Sequence, residues 1–344
     1  MATSSWNAGI IRPVAVPPAG PFASGAASGV WTLDQVAFWQ QQGLWPTAGN
    51  NQPIGLFAAG SRGGVSSNAI DQIIITTTGN ATDFGDLTAA RTEPGACASS
   101  VRGVWAGGEI SGTRTNIMDY VTIASAGNAT DFGDLLATRT SLSGCSNSTR
   151  GIFSGGYEAS DVNNIEYITI ASTGNATDFG DLLSTYYGTA NCASPTRGII
   201  AGGESNNASP PGVSNVIQYI TIASTGNALD FGDLAQTTAA TSGCSSATRG
   251  LVLGGANSGA PVNVISYITI ASLGNATDFG DLLSAQKDAA ACASSTRGVY
   301  GGGTGPSNVI QYVTISTTGN AIDFGDLIGT TRYLAACSNA HGGL

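Results

Sequence analysis

Gly226-Asn-Ala-Leu-Asp-Phe-Gly-Asp-Leu234 is one of six copies of the phrase Gly-Asn-Ala-x-Asp-Phe-Gly-Asp-Leu. The copies begin at Gly79, Gly127, Gly174, Gly226, Gly274 and Gly319, at intervals of 48, 47, 52, 48 and 45 residues. A nearly fixed period of this length means that one supersecondary unit recurs along the chain, each copy burying a face against the next.

Around the phrase, each unit holds four short strand candidates. In the third unit these are Leu142-Ser-Gly-Cys-Ser146, Arg150-Gly-Ile-Phe-Ser-Gly-Gly156, Asn163-Asn-Ile-Glu-Tyr-Ile-Thr-Ile170 and Ala176-Thr-Asp-Phe-Gly-Asp-Leu182. Gly-Asn between the last two is a hairpin signal, because both residues tolerate positive φ. The third strand is apolar on both faces, as in Val216, Ile217, Tyr219, Ile220 and Ile222, so it needs packing partners above and below its sheet. Four-stranded units of about 48 residues, each flanked by its like, are the blades of a β-propeller. The first copy starts at a second strand, Gly55-Leu-Phe-Ala-Ala-Gly60, which matches Gly103-Val-Trp-Ala-Gly-Gly108. The last copy leaves a spare first strand, Leu334-Ala-Ala-Cys-Ser-Asn-Ala340. The expected fold is therefore all-β: a six-bladed propeller over residues 51–344, with the C-terminal strand completing the first blade and removing an open edge.

Six cysteines, Cys97, Cys145, Cys192, Cys244, Cys292 and Cys337, carry the same period. Three disulfides would satisfy the count. Equivalent positions in successive units are too far apart for that geometry, and buried thiols serving as small apolar residues are the expectation.

The spacing from each third-strand Asn to its Cys is 29 residues in every unit, and from Cys to the second Gly of the next pair 11. All length variation thus falls in one connection, between the Gly pair and that Asn: 61–67, 109–115, 157–162, 204–214, 256–262 and 304–307. Variable loops on one face of a repeat fold often mark its binding face, although a loop free of packing constraints also drifts in length. Glu109, Arg114, Tyr157, Glu158, Glu204, Asn206, Asn207 and Asn257 are the candidate binding residues on these loops.

Composition narrows the function. Of 344 residues, 12 are Lys or Arg, 22 are Asp or Glu and one is His, for a net charge of −10. Only 10% of residues are charged, against roughly a quarter in an ordinary domain. So few cations argue against nucleic-acid binding, and one His leaves little for a His-based metal site or general base. No apolar run reaches the ~18 residues of a membrane span, and no signal peptide is visible. Asp-Phe-Gly recurs without the glycine loop, β3 Lys or catalytic loop of a kinase. The paired aspartates of Asp-Phe-Gly-Asp supply 12 of the 22 acidic residues. Carboxylates with turn carbonyls can suit Ca2+, but the expected role is to hold turns or to pair with the Arg found once per unit (Arg102, Arg150, Arg197, Arg249, Arg297). Six equal copies argue against an active site, so neither catalytic residues, metal ligands nor a cofactor are assigned. At the seam, Gly342 stands where a sixth Arg belongs, and the neighbouring His341 reads as incidental. Asn-Ala-Thr sequons at Asn80, Asn128, Asn175 and Asn275 read as turn chemistry.

Residues 1–50 lack the repeat. A Pro/Ala/Gly/Ser-rich arm, 13–29, precedes one short helix at about 33–42, specified by a Thr32/Gln35 capping box, a Trp31–Val36 staple and Gly43 at its end. Four of the five Trp lie here, and Trp6, Trp31, Val36, Trp39 and Trp45 form a candidate anchor.

The Gly pair closing the second strand, the aromatic of the third (Tyr120, Tyr167, Tyr219, Tyr267, Tyr312) and an aromatic in the fourth resemble kelch repeats, with Phe where those carry Trp. Gly-Asn-Ala-Thr-Asp-Phe-Gly-Asp-Leu with Cys-x4-Arg-Gly, and the segment Gly29-Val-Trp-Thr-Leu-Asp-Gln35 leading to Gly43-Leu-Trp-Pro46, are similar to virion structural and tail-fibre proteins of marine tailed bacteriophages, cyanophages especially. The resemblance spans nearly the whole chain. It implies a non-enzymatic virion component, a tail-fibre, adsorption or particle-surface protein. Residues 1–50 would join other virion proteins, and the propeller, as a homo-oligomer in the particle, would meet a host glycan or receptor. A soluble lectin-type propeller is the alternative.

Overall fold

A computed structural model describes residues 52–207, 212–305 and 307–344, which form a six-bladed β-propeller. The described residues contain no helix, hence none able to cross a membrane. From the axis outward, the second blade runs Gly95–Ala98, Arg102–Ala106, Ile117–Thr122 and Thr130–Asp134, all antiparallel. The other five repeat this order. The first blade takes its inner strand, Ala335–Ser338, from the far end of the chain: it pairs with Ile54–Ala58 in the register Leu56↔Cys337. The ring closes at the seam as the repeat boundaries require.

Strand direction gives the ring two distinct faces. One carries the variable loops and the crossings from each outer strand to the next inner strand. The other carries the short turns after the inner and third strands. Pro53 lies on this turn face, where its carbonyl accepts from Ile75 N (2.8 Å).

The core lies between blades. Cys97, Val104, Met118 and Phe132 of the second blade pack with Leu142, Phe153, Ile168 and Ile170 of the third, so the third strand is apolar on both sides because it is covered on both sides. All six thiols are free and buried, each set against the second-strand glycine of the following blade. A Cβ on Gly151, for example, would lie 2.5 Å from Cys97 Sγ. Burial pushes the Cys145 thiol up to about 12 and raises the other five as well, as befits thiols that pack rather than react.

The nine-residue phrase is the outer seam between blades. Gly174 N donates to Phe132 O (2.7 Å), Ala176 N to Asp134 O (2.8 Å), and Asn175 Oδ1 accepts from Asp134 N (3.1 Å). The backbone pair recurs at all six junctions, including the closing one, Gly79 to Phe324 and Ala81 to Asp326. Gly133 sits at a bulge with φ 136°, and a Cβ there would lie 2.5 Å from Gly174 O. The turn-holding role of this phrase is carried by its backbone and its Asn.

The expected Arg–Asp pairing does not form. Arg102 stacks over Tyr120 (4.5 Å) and donates to Ile170 O of the next blade (3.1 Å), and the four other Arg do the same in their blades. A guanidinium between an aromatic face and a carbonyl gains a cation–π contact and leaves the exposed aspartates to water. The sixth Arg position belongs to Ile54, which pairs with Ile74 as Arg102 does with Thr122. Gly342 does not take that place.

Candidate functional site

The six crossings converge on the axis at the loop face. Four residues before each Cys stands one residue of a six-membered ring: Glu93, Ser141, Gly188, Ala240, Asp288 and Tyr333. All six are left-handed, with φ from 51° to 61°. Their backbones join blade to blade around the axis. Glu93 N donates to Tyr333 O (2.8 Å), Ser141 N to Glu93 O (3.0 Å) and Gly188 N to Ser141 O (3.0 Å). Thr241 N then donates to Gly188 O (3.5 Å), Asp288 N to Ala240 O (3.1 Å) and Tyr333 N to Asp288 O (2.7 Å). This gasket is continuous through all six blades, with Thr241 N in place of Ala240 N as the donor at the Gly188 junction, but its side chains differ from blade to blade.

The gasket residues line a funnel of about 350 Å3, together with Tyr187, Asn191, Glu204 and Lys287. Glu93 Oε2 accepts from Thr140 Oγ1 (3.0 Å) and from Ser141 Oγ. Asp288 Oδ2 accepts from Thr304 Oγ1 (2.8 Å). Burial holds the Asp288 carboxyl above its ordinary range, and Glu93 adds to that, against the pull of the Thr304 hydroxyl, Lys287 and Arg332. Burial likewise raises Tyr333, and it pushes Tyr187 up to about 12.

Below the funnel the inner strands leave about 50 Å3 of axial space, ending at His341. His341 is an axial plug rather than an incidental residue. Its Nε2–H donates to Ala98 O (2.9 Å), and its Nδ1 accepts from Gly343 N (3.1 Å). Gly342 N donates to Ser245 O (2.9 Å) on the other side of the channel. One ring nitrogen donates and the other accepts, so the imidazole is neutral. Burial lowers its pKa further, against the pull of the Ala98 carbonyl.

The eight loop candidates separate. Glu204 lines the funnel. Tyr157 lies under the Arg114 guanidinium (4.7 Å) and edge-on to Tyr187 (6.1 Å), a stack across neighbouring loops. Asn206 and Asn207 are tied to the buried Asp161, whose Oδ1 accepts from Asn206 Nδ2 and whose backbone O accepts from Asn207 Nδ2 (both 3.2 Å). Glu158 is 3.9 Å from the buried Arg139. Glu109 is bound through its backbone to Thr92, and Asn257 Oδ1 accepts from Ser258 Oγ (3.1 Å) in a hairpin away from the axis. The anchor candidates Trp6, Trp31, Val36, Trp39 and Trp45, and the helix at 33–42, lie outside the described residues.

Sequence reasoning missed the gasket, and it missed a second polar position, the residue before each third-strand Tyr and before its first-blade equivalent, Gln72. Asp71, Asp119, Glu166, Gln218, Ser266 and Gln311 occupy it, all buried. Asp119 is paired with the fully buried Arg91 (2.9 Å), and Glu166 with Arg139. Five of the six also accept a backbone N–H from the preceding blade, for instance Leu283 N to Gln311 Oε1 (2.7 Å). A polar residue alternating into an apolar strand was the available signal. Among the described residues no cluster of three or more His, Cys, Asp and Glu side chains comes together as a metal site. No family model matches the chain, and no curated protein matches it.

Proposed function

We propose that this chain is a non-enzymatic component of a tailed-bacteriophage particle, held to it by residues 1–50, with the loop face of the propeller turned to a host surface or partner. The observation that carries the reading is the polarity of the ring. The chain enters the propeller at Pro53 on the turn face, where Ile54 N also donates to Asn339 Oδ1 (2.7 Å). The described residues of the variable loops, and the funnel, lie on the opposite face. A module tethered on one side and variable on the other is suited to present a contact surface. The likeness of its repeat and its leader segment to virion and tail-fibre proteins supplies the setting.

The test is assembly. Particles made with a chain lacking residues 1–50 should lose the protein, while the isolated propeller stays folded by circular dichroism. Incorporation of the truncated chain at the full-length level would refute the anchor. Unchanged adsorption by particles carrying loop-face substitutions at Tyr157 and Glu204 would refute the contact face.

A further inference from the structure

The gasket is built at a cost that its structural role does not require. A left-handed conformation is free for Gly188 but strains a non-glycine residue. Five of the six gasket positions nonetheless carry side chains, including a tyrosine. The backbone ring forms with Gly188 in it, so its hydrogen bonds do not call for those side chains. Nor does the repeat, since this position differs in all six units while the Cys four residues later is constant. What the side chains share is the funnel they line.

Their chemistry is graded around the axis. Asp288, Tyr333 and Glu93 are consecutive in the ring, whereas Ser141, Gly188 and Ala240 make the opposite arc small. One wall is therefore rich in acceptors with an aromatic ring among them, and the other leaves room. The hydroxyls of Thr304, Thr140 and Ser141 hold the two carboxylates in place. A carboxylate has about four acceptor sites, so both keep capacity for a ligand. Glu93, Glu204 and Asp288 outnumber Lys287 and the adjacent Arg332, whose guanidinium covers one face of the Tyr333 ring (4.9 Å) and leaves the other open, so the funnel disfavours anions. The constriction and the His341 plug make it blind.

We propose that this funnel is a binding site for the terminal residue of an uncharged saccharide. Vicinal hydroxyls would donate to Glu93 and Asp288, and the apolar face of the sugar would rest on Tyr333. A volume of about 350 Å3 lies within the range of small-ligand sites, roughly 300–1,000 Å3. Hydroxyl donors at a desolvated carboxylate form charge-assisted hydrogen bonds, the stronger kind. The proposal rests on the loop face being the contact face, and it names the ligand class for that face.

The experiment uses the full chain on an array of neutral and acidic bacterial surface glycans, followed by titration with the best neutral glycan. Saturable binding to neutral glycans and none to sialylated or uronic-acid glycans is expected. Asp288→Asn and Glu93→Gln should each weaken binding about tenfold, one charge-assisted hydrogen bond. Tyr333→Gly separates binding from folding, because it relieves a strained position: its Tm should hold or rise while affinity falls at least tenfold. Full affinity in Tyr333→Gly, a preference for acidic glycans, or binding only to an amine-bearing probe that salt abolishes would each overturn the proposal. If nothing on the array binds while particles carrying the chain still adsorb, the saccharide site fails and the virion reading stands. If glycans bind but the chain does not enter particles, the reverse holds.

Discussion

Arg91→Gln isolates what the buried ion pairs contribute. Arg91 and Asp119 are both fully buried, 2.9 Å apart. Arg91 also donates to Ile117 O (3.4 Å) and Trp105 O (3.3 Å), and Asp119 accepts from Thr88 N and Thr88 Oγ1. Burial pushes the guanidinium below its ordinary pKa, and Asp119 pulls it back only in part. The pair is thus costly to bury and more costly to break. Removing one partner of a buried pair costs about 3–5 kcal/mol. The two long hydrogen bonds add about 0.5 kcal/mol each, and the retained Thr88 bonds offset a similar amount. A loss of about 4 kcal/mol follows, or about 8 °C in Tm at roughly 2 °C per kcal/mol for a large domain. The molecule carries its own control. In the sixth blade the equivalent residues are Gln286 and Gln311, and Gln311 still accepts the backbone N–H of Leu283. Arg91→Gln combined with Asp119→Gln should therefore recover part of the loss, since it leaves no buried charge without a partner and keeps an acceptor for Thr88 N. The assay is calorimetric unfolding of the four proteins of a double-mutant cycle. A single-variant loss under about 1 kcal/mol, or a double variant as unstable as the two singles summed, would refute the reasoning.

Two further outcomes follow from the geometry. Gly133→Ala places a Cβ 2.5 Å from Gly174 O at a φ of 136°. It should cost about 2–4 kcal/mol from strain and the loosened inter-blade hydrogen bonds, and a Tm within 2 °C of the parent would contradict the seam role. His341 must be neutral to donate through Nε2 and accept through Nδ1. Its folded pKa lies below the ordinary value of 6.5, so its contribution to holding residues 341–343 is present above that value and lost as pH falls through the folded pKa. Protection of the Gly342 and Gly343 amides against hydrogen exchange should fall as pH is lowered from 7 to well below 6.5, and not do so in His341→Gln. Unchanged protection down to the pH at which the whole propeller unfolds would refute the role of the neutral imidazole.

The blade count and the closing seam were legible because both are matters of period. Six Cys and six Gly-Asn-Ala phrases at matched intervals admit one ring, and a first unit short of one strand with a last unit long by one admits one closure. The variable loops were legible for the same reason. The Arg partners were misread because complementary charge in a sequence says nothing of depth. The aspartates of Asp-Phe-Gly-Asp are on the outer rim, while the guanidiniums lie flat on Tyr and reach a carbonyl of the next blade. Asn206 and Asn207 looked available as loop residues, and only the neighbouring loop's Asp161 shows them engaged.

By itself the sequence determined the architecture, because a repeated pattern of apolar faces and turn residues can be satisfied only by stacking the unit on its copies around a ring. The tertiary structure alone decided what the ring encloses. Glu93, Asp288 and Tyr333 are at least 45 residues apart along the chain. They become neighbours because six crossings meet at one axis, where a position that breaks the repeat in sequence becomes a single wall in space. His341 was likewise a lone residue until the channel gave it Ala98 to bind. Period is a property of the chain, but convergence on an axis exists only once the ring has closed.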